Sequence, residues 1–366
     1  MMLGNPPSKT IAYDWQSLAR AMSKAYLSGD FAKAEDLAWE GLSKAKLMGE
    51  FEPRLAISLS NLAVIQRMRG QRDRAEDLSN IALRILQAVD SRGQLMVKAL
   101  INSACFYHDQ GRWGEARRLY SRALTLLEKA ASEDLLAEAL CLYARLCSDQ
   151  SKYSQAETLL KRVGSLSRLE PEQQLLFSLT YAVNSIRQQR LGRAEQLLAE
   201  CDEVLLKGQT LQLMWKSSLL SVRGELLAAQ YEASRNVSGS VESDIVARRR
   251  AVTEAYEHAL DIREQTLGPF HPACADVLRK MAEFEFLLGD YENCEKNLRK
   301  ALSISLSSRG PYHLETNRLL ELSAMVLRAT NRHDEAESVE ERSRQVEKRV
   351  REIARETYVV WGEQEV

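Results

Sequence analysis

Gly111-Arg112-Trp113-Gly114-Glu115-Ala116-Arg117-Arg118-Leu119-Tyr120-Ser121-Arg122-Ala123-Leu124 decides how the chain is read, because its spacing returns along most of the sequence. Small residues at Ala104, Ala116 and Ala123 stand twelve and then seven positions apart, with a glycine turn between the first two. The same intervals recur at Ala63, Ala75 and Ala82, at Ala144, Ala156 and Val163, at Ala182, Ala194 and Cys201, and at Ala282, Cys294 and Ala301. The residue that follows each turn by five positions gives the series Ala34, Ala75, Ala116, Ala156, Ala194, Val252, Cys294 and Ala336. Its members lie about 40 residues apart, with one longer step before Val252. Two helical segments per step mean eight stacked helix hairpins.

Close approach explains the small columns. Helices cross at about 8 to 10 Å only where the contact residues are small. A larger side chain there wedges them apart at about 1 to 3 kcal/mol. Four residues before the first-helix small position, which Met22 occupies in the first hairpin, runs a leucine column, Leu18, Leu59, Leu100, Leu140, Leu220, Leu278 and Leu320, which Ser178 interrupts in the fifth hairpin. Tyr120, Leu160, Leu198, Tyr256 and Leu298 fill the space beside the second-helix columns.

These residues resemble the tetratricopeptide repeat, in the long-repeat form of kinesin light chains. Two connections, Leu267-Gly268-Pro269-Phe270-His271-Pro272 and Arg309-Gly310-Pro311-Tyr312-His313-Leu314, match the Leu-Gly-Pro-x-His-Pro loop of that subgroup, the first closely and the second in part. The resemblance implies an all-α, right-handed α-solenoid of about eight antiparallel helix hairpins. It further implies a concave groove, lined by the first helix of every hairpin, that binds a peptide or helical segment of a partner protein.

Projected onto this sequence, the groove carries Asn61 and Arg67 beside Ile57, Ser60 and Val64, then Lys98, Asn102 and His108 beside Ile101, Cys105 and Asp109. Arg145 follows with Glu138, Cys141 and Asp149, and Arg187 with Leu179 and Val183. Ser221, Glu225, Asp276, Arg279 and Glu283 continue the row. Asn61 and Asn102 hold matching positions, and an amide that donates and accepts suits an extended backbone. Lys98, His108 and Arg145 could receive acidic side chains or a terminal carboxylate. The charged clamp of chaperone-binding relatives is not matched, since Ile57 and Val64 stand where it needs charges.

Composition excludes other classes. Fifty Lys and Arg against 51 Asp and Glu leave a net charge of -1, so no global field draws nucleic acid or an anionic membrane. No run of eighteen apolar residues appears and the N-terminus lacks the apolar core of a secretory signal, so a cytoplasmic protein is expected. The six cysteines form no CxxC pair and read as reduced packing residues, with no metal and no cofactor. Walker, GxSxG and HExxH patterns are absent, and an enzyme is not expected. The remaining catalytic option is a hydrolase using Cys141 with His108 as base. His271 and His313 stand one repeat apart, which the repeat explains without a metal, and Arg248-Arg249-Arg250 reads as a solvated helix face. A non-catalytic interaction scaffold is therefore expected, with a regulatory sensor switched by a short signalling peptide as the alternative; the oligomeric state is open.

The ends and one interior segment depart from the repeat. Residues 1–10, with Pro6 and Pro7, read as a disordered leader ahead of a helix from about Asp14. The solenoid spans 11–340, and the sixth hairpin holds sixteen extra residues, read as an insertion near 230–247 with a loop at Asn236-Val237-Ser238-Gly239-Ser240. Residues 341–366 read as a polar-faced capping helix followed by an apolar tail, Tyr358-Val359-Val360-Trp361, folded back onto it.

Overall fold

The structure, a computed structural model, describes residues 9–27, 30–68, 71–130, 133–207, 213–235 and 242–362. Among these residues there are sixteen α-helices and no strand. They pair as hairpins: α1 (Lys9–Leu27) with α2 (Phe31–Lys46), α3 (Pro53–Met68) with α4 (Arg72–Val89), α5 (Gln94–Asp109) with α6 (Trp113–Ala130), and α7 (Glu133–Asp149) with α8 (Tyr153–Gly164). The series continues with α9 (Pro171–Arg187) and α10 (Leu191–Lys207), α11 (Leu213–Arg235) and α12 (Glu242–Leu267), α13 (Pro272–Leu288) and α14 (Tyr291–Ser308), then α15 (Leu314–Ala329) and α16 (His333–Gly362). The fold is an all-α helical-repeat solenoid. Two compact units divide the chain, one of Met1–Asp109, Glu115–Gln188 and Gln196–Trp215, the other of Gln110–Gly114, Gln189–Glu195 and Lys216–Val366.

The small columns are the core. Ala34, Ala75, Ala116, Ala156, Ala194, Val252, Cys294 and Ala336 are each 0 % exposed, as the close-approach argument requires. Beside them Tyr120 and Leu160 are fully buried and Leu198, Tyr256 and Leu298 nearly so. In α11 the small residue is Gly224, where an added Cβ would stand 2.5 Å from the Tyr256 ring. Ser178, which breaks the leucine column, is buried and donates to Glu200 Oε2 at 3.1 Å, linking α9 to α10.

Turn chemistry sets where each hairpin bends. The residue five before the second-helix small position adopts the left-handed conformation at Gly111, Ser151, Gln189, Gly289 and Asn331. Glycine is suited to this conformation because it has no Cβ to clash, and Ser151 and Gln189 hold it at a cost. After Gly289, Asp290 caps α14 by accepting from the Asn293 amide.

The two matching loops have a different logic. Gly268 and Gly310 turn left-handed, and the histidine that follows caps the next helix. His271 Nδ1 accepts from the Ala273 amide at 3.1 Å, and His313 Nδ1 from the Glu315 amide at 3.0 Å. Each cap needs an unprotonated Nδ1. Burial pushes the His271 imidazole down to about 4; Asp276 opposes the shift, while Arg309 and Arg263 add to it. An unfolded histidine titrates at about 6.5. The unfolded chain therefore binds the extra proton between the two values, and the stabilisation, complete above about 6.5, is lost as pH falls towards the folded value. We expect the stability difference between wild type and His271→Asn, a cap that does not titrate, to shift against wild type by about 2 kcal/mol over that window in urea titrations at stepped pH. A pH-independent difference would contradict the cap assignment.

Three expectations about irregular segments need correction. Helix begins at Lys9, ahead of Asp14, so only residues 1–8 of the expected leader lie outside the described residues. The sixth hairpin spends most of its extra length on helix: α11 has 23 residues and α12 has 26, against 16 to 18 in α3 to α6. The expected loop at 236–240 lies outside the described residues. At the C-terminus α16 runs unbroken through Tyr358–Trp361, so these residues continue the helix where a folded-back tail was expected. Up to Val350 that helix buries Ala336, Ser343 and Val346 and turns a charged face outward.

Candidate partner-binding face

The expected groove residues fall on the first helices α3, α5, α7 and α9 of the first unit, and their geometry follows the repeat. Arg67 lies four residues beyond the small residue Ala63, and its Nη1 meets Asp109 Oδ2, five beyond Ala104, at 2.5 Å. In the next pair His108 Nε2 meets Asp149 Oδ2 at 2.8 Å. In the third, Arg187 Nη1 donates to Ser148 Oγ at 3.1 Å and pairs with Asp149 Oδ1 at 2.8 Å. Each rung thus joins the end of one first helix to the end of the next, and Asp109 and Asp149 each bind neighbours on both sides. Arg145 Nη2 stands 3.8 Å from Asp109 Oδ1.

The electrostatics agree with that geometry. Burial works against the charge on Asp109, but the guanidiniums of Arg67 and Arg145 outweigh it and hold its carboxyl below the usual range. For Asp149 burial is likewise outweighed, by the His108 hydrogen bond and the Arg187 charge, and its carboxyl is held well below the usual range. Glu138 goes the other way: burial raises it, with Lys98 opposing from α5.

Of the residues expected to bind a partner, Lys98 and Arg187 are exposed, Asn61, Arg67, Asn102 and Arg145 are half-buried, and His108 is buried against Asp149. Ile101, Cys105, Cys141 and Leu179, projected onto the groove, are buried instead. Cys141 does not suit a nucleophile. Burial, with Glu138 adding to it, pushes its thiol far up, whereas a nucleophile needs it lowered. In the second unit Lys280 pairs with Glu225 at 2.5 Å and donates to Ser221 Oγ at 2.8 Å, Asp276 pairs with Arg309 at 2.8 Å, and Arg279 joins Glu283 and Glu315. Among the described residues no cluster of His, Cys, Asp or Glu is arranged to hold a metal.

The rungs were not foreseen in the sequence. Their positions repeat but their chemistry does not, being Arg with Asp, His with Asp and Ser with Arg, so no column of like residues marks them. The detectable clue was the recurrence of Asp109, Asp149 and Arg187 at one offset from the small column.

Family models of the tetratricopeptide repeat match residues 95–163, 274–348 and 249–273. Over these residues the chain carries tetratricopeptide repeats. Among solved structures, a Rap protein complexed with competence and sporulation factor aligns at a TM-score of 0.52 and 12% identity, covering 94% of this chain and 99% of that one, a likeness of fold. A tetratricopeptide repeat protein from Parabacteroides merdae covers 80% of this chain and 93% of its own at 16% identity and a TM-score of 0.44. A putative kinesin light chain from Podospora anserina covers 56% and 99% at 20% identity and 0.42. Comparison with curated protein sequences finds no match.

Proposed function

We propose that the protein is a non-catalytic scaffold whose first-helix layer, α3, α5, α7 and α9, binds an extended peptide or helical segment of a partner protein. The observation that carries this reading is a contrast across one layer. Ala104, Ala144 and Ala182, against the second helices, are 0 % exposed, while Asn61, Val64, Asn102, Arg145 and Val183 stay partly open on successive helices. Packed rungs hold that face in shape, so the partner bears most of the ordering cost of binding. The six cysteines are free and buried, which suits a reducing compartment such as the cytoplasm. No described helix is long and apolar enough to cross a membrane, and the protein partner is the reading supported by the repeat.

Affinity capture with crosslinking, comparing wild type with the double variant Asn61→Ala/Asn102→Ala, tests the face. Recovery of the wild-type partner should fall by about tenfold, the worth of one or two lost amide hydrogen bonds. Unchanged recovery would refute the assignment. A second reading, a sensor switched by a short signalling peptide, draws on the Rap likeness, whose structure contains competence and sporulation factor. Small-angle scattering separates the two, because a sensor changes its dimensions on binding and a scaffold does not.

A further inference from the structure

Resting on the proposed binding face, a narrower inference concerns what the bound segment must look like. One position beyond the small residue of each first helix in the first unit stand Val64, Cys105, Arg145 and Val183. Cys105 is buried, while Val64 and Val183 are partly open, so the open positions of the row are apolar on both sides of one arginine. Arg145 keeps 41 % of its side chain exposed. Its neighbour Asp109, at 3.8 Å, is beyond hydrogen-bond distance and is already bonded to Arg67 at 2.5 Å. A guanidinium offers five donors in a planar fork that matches a carboxylate. Around it three arginines, Arg67, Arg145 and Arg187, share two aspartates, Asp109 and Asp149, so within this set cations outnumber carboxylates by one.

We infer that the segment bound on this face carries a single Asp or Glu side chain between apolar residues, and that this carboxylate pairs with Arg145. Open apolar positions lie on both sides of Arg145, at Val64 and at Val183, which fits a carboxylate within a chain better than one at its terminus. Asp109 and Asp149 flank the position and would repel a polyanion, whereas one added charge balances the local excess. This selects an apolar, singly acidic peptide over an acidic run or a nucleic acid.

The test is selection from a random linear peptide library displayed on phage, against the full chain as wild type, Arg145→Gln and Arg145→Glu, each checked for folding by circular dichroism. Wild type should enrich peptides with one Asp or Glu flanked by apolar residues. Arg145→Gln should lose the acidic preference, and Arg145→Glu should replace it with Lys or Arg. A synthetic wild-type selectant should bind Arg145→Gln about tenfold more weakly, the scale of a charge-assisted pair. Acidic enrichment that persists against Arg145→Gln, or wild-type selectants without an acidic position, overturns the inference while leaving the binding face in place. Failure to enrich any peptide on wild type overturns the binding face itself. If Arg145→Glu does not fold, the loss or retention of acidic preference in Arg145→Gln decides.

Discussion

Tyr120→Ala is expected to destabilise the first unit by about 3 to 5 kcal/mol, the range for deleting a fully buried aromatic side chain. The ring is 0 % exposed, four residues after Ala116 in the space that the small column leaves open. It is also shared between hairpins. Its face stacks on Tyr143 of α7 at 5.7 Å between centroids, and its hydroxyl lies 3.3 Å from Cys105 Sγ of α5. Truncation therefore removes contacts within the third hairpin and between the third and fourth together. Because stability in a repeat stack is a sum of local and nearest-neighbour terms, the variant should unfold over a broader denaturant range as well as at a lower midpoint. Tyr120→Phe keeps the ring and loses only a bond to a weak thiol partner, so its cost should stay below about 1 kcal/mol. Urea titration of the three proteins by circular dichroism checks both statements. A loss below 1 kcal/mol for Tyr120→Ala would mean that the ring does not bridge the hairpins.

How far the sequence carries depends on whether a position demands one kind of side chain. Ala116, Cys294 and their equivalents could be read from spacing, because only a small residue lets the helices approach, and every one of them is closed to solvent. Positions that admit several solutions left a weaker signal. Ser151, Gln189 and Asn331 take the same left-handed turn as Gly111 and Gly289 without sharing a residue type. His271 and His313 stood out as members of the two matching loops, one repeat apart; the role as helix caps depends on what each imidazole faces, and the proline after His271 was the clue to a helix start. The extra residues of the sixth hairpin could be counted from the break in phase and placed near 230–247, but not recognised as mostly helical. Leu226, Leu227, Ala228, Ala229 and Gln230 hold no helix breaker, and the helix continues through them. At the candidate face, the residue types suggested charges open to a partner. The structure instead ties Arg67, His108 and Arg187 into rungs and leaves Arg145 the least satisfied of them.

Asp149 is where those rungs converge, and Asp149→Ala is expected to cost about 3 kcal/mol. One carboxylate serves His108 of α5 through Oδ2 and Arg187 of α9 through Oδ1, so its loss strips a partner from both flanking hairpins at once. Breaking a buried pair costs about 3 to 5 kcal/mol because the remaining charge is stranded. With 24 % of the Asp149 side chain exposed, water relieves part of that penalty and places the value at the lower end. Asp149→Asn should cost less, since its amide oxygen can still accept from His108, though not as a counter-charge to Arg187. The sign with pH follows from the depressed carboxyl. The stabilisation is complete above the unfolded value of about 3.9 and disappears as pH falls through the lower folded value. Wild type should therefore lose its advantage over Asp149→Asn in acid, and urea titrations from neutral pH downward would show the two curves converging. Parallel curves, or a cost for Asp149→Ala no larger than that of an exposed ion pair, would mean that the rungs do not couple the hairpins. In that case the shape of the binding face would rest on the small columns alone.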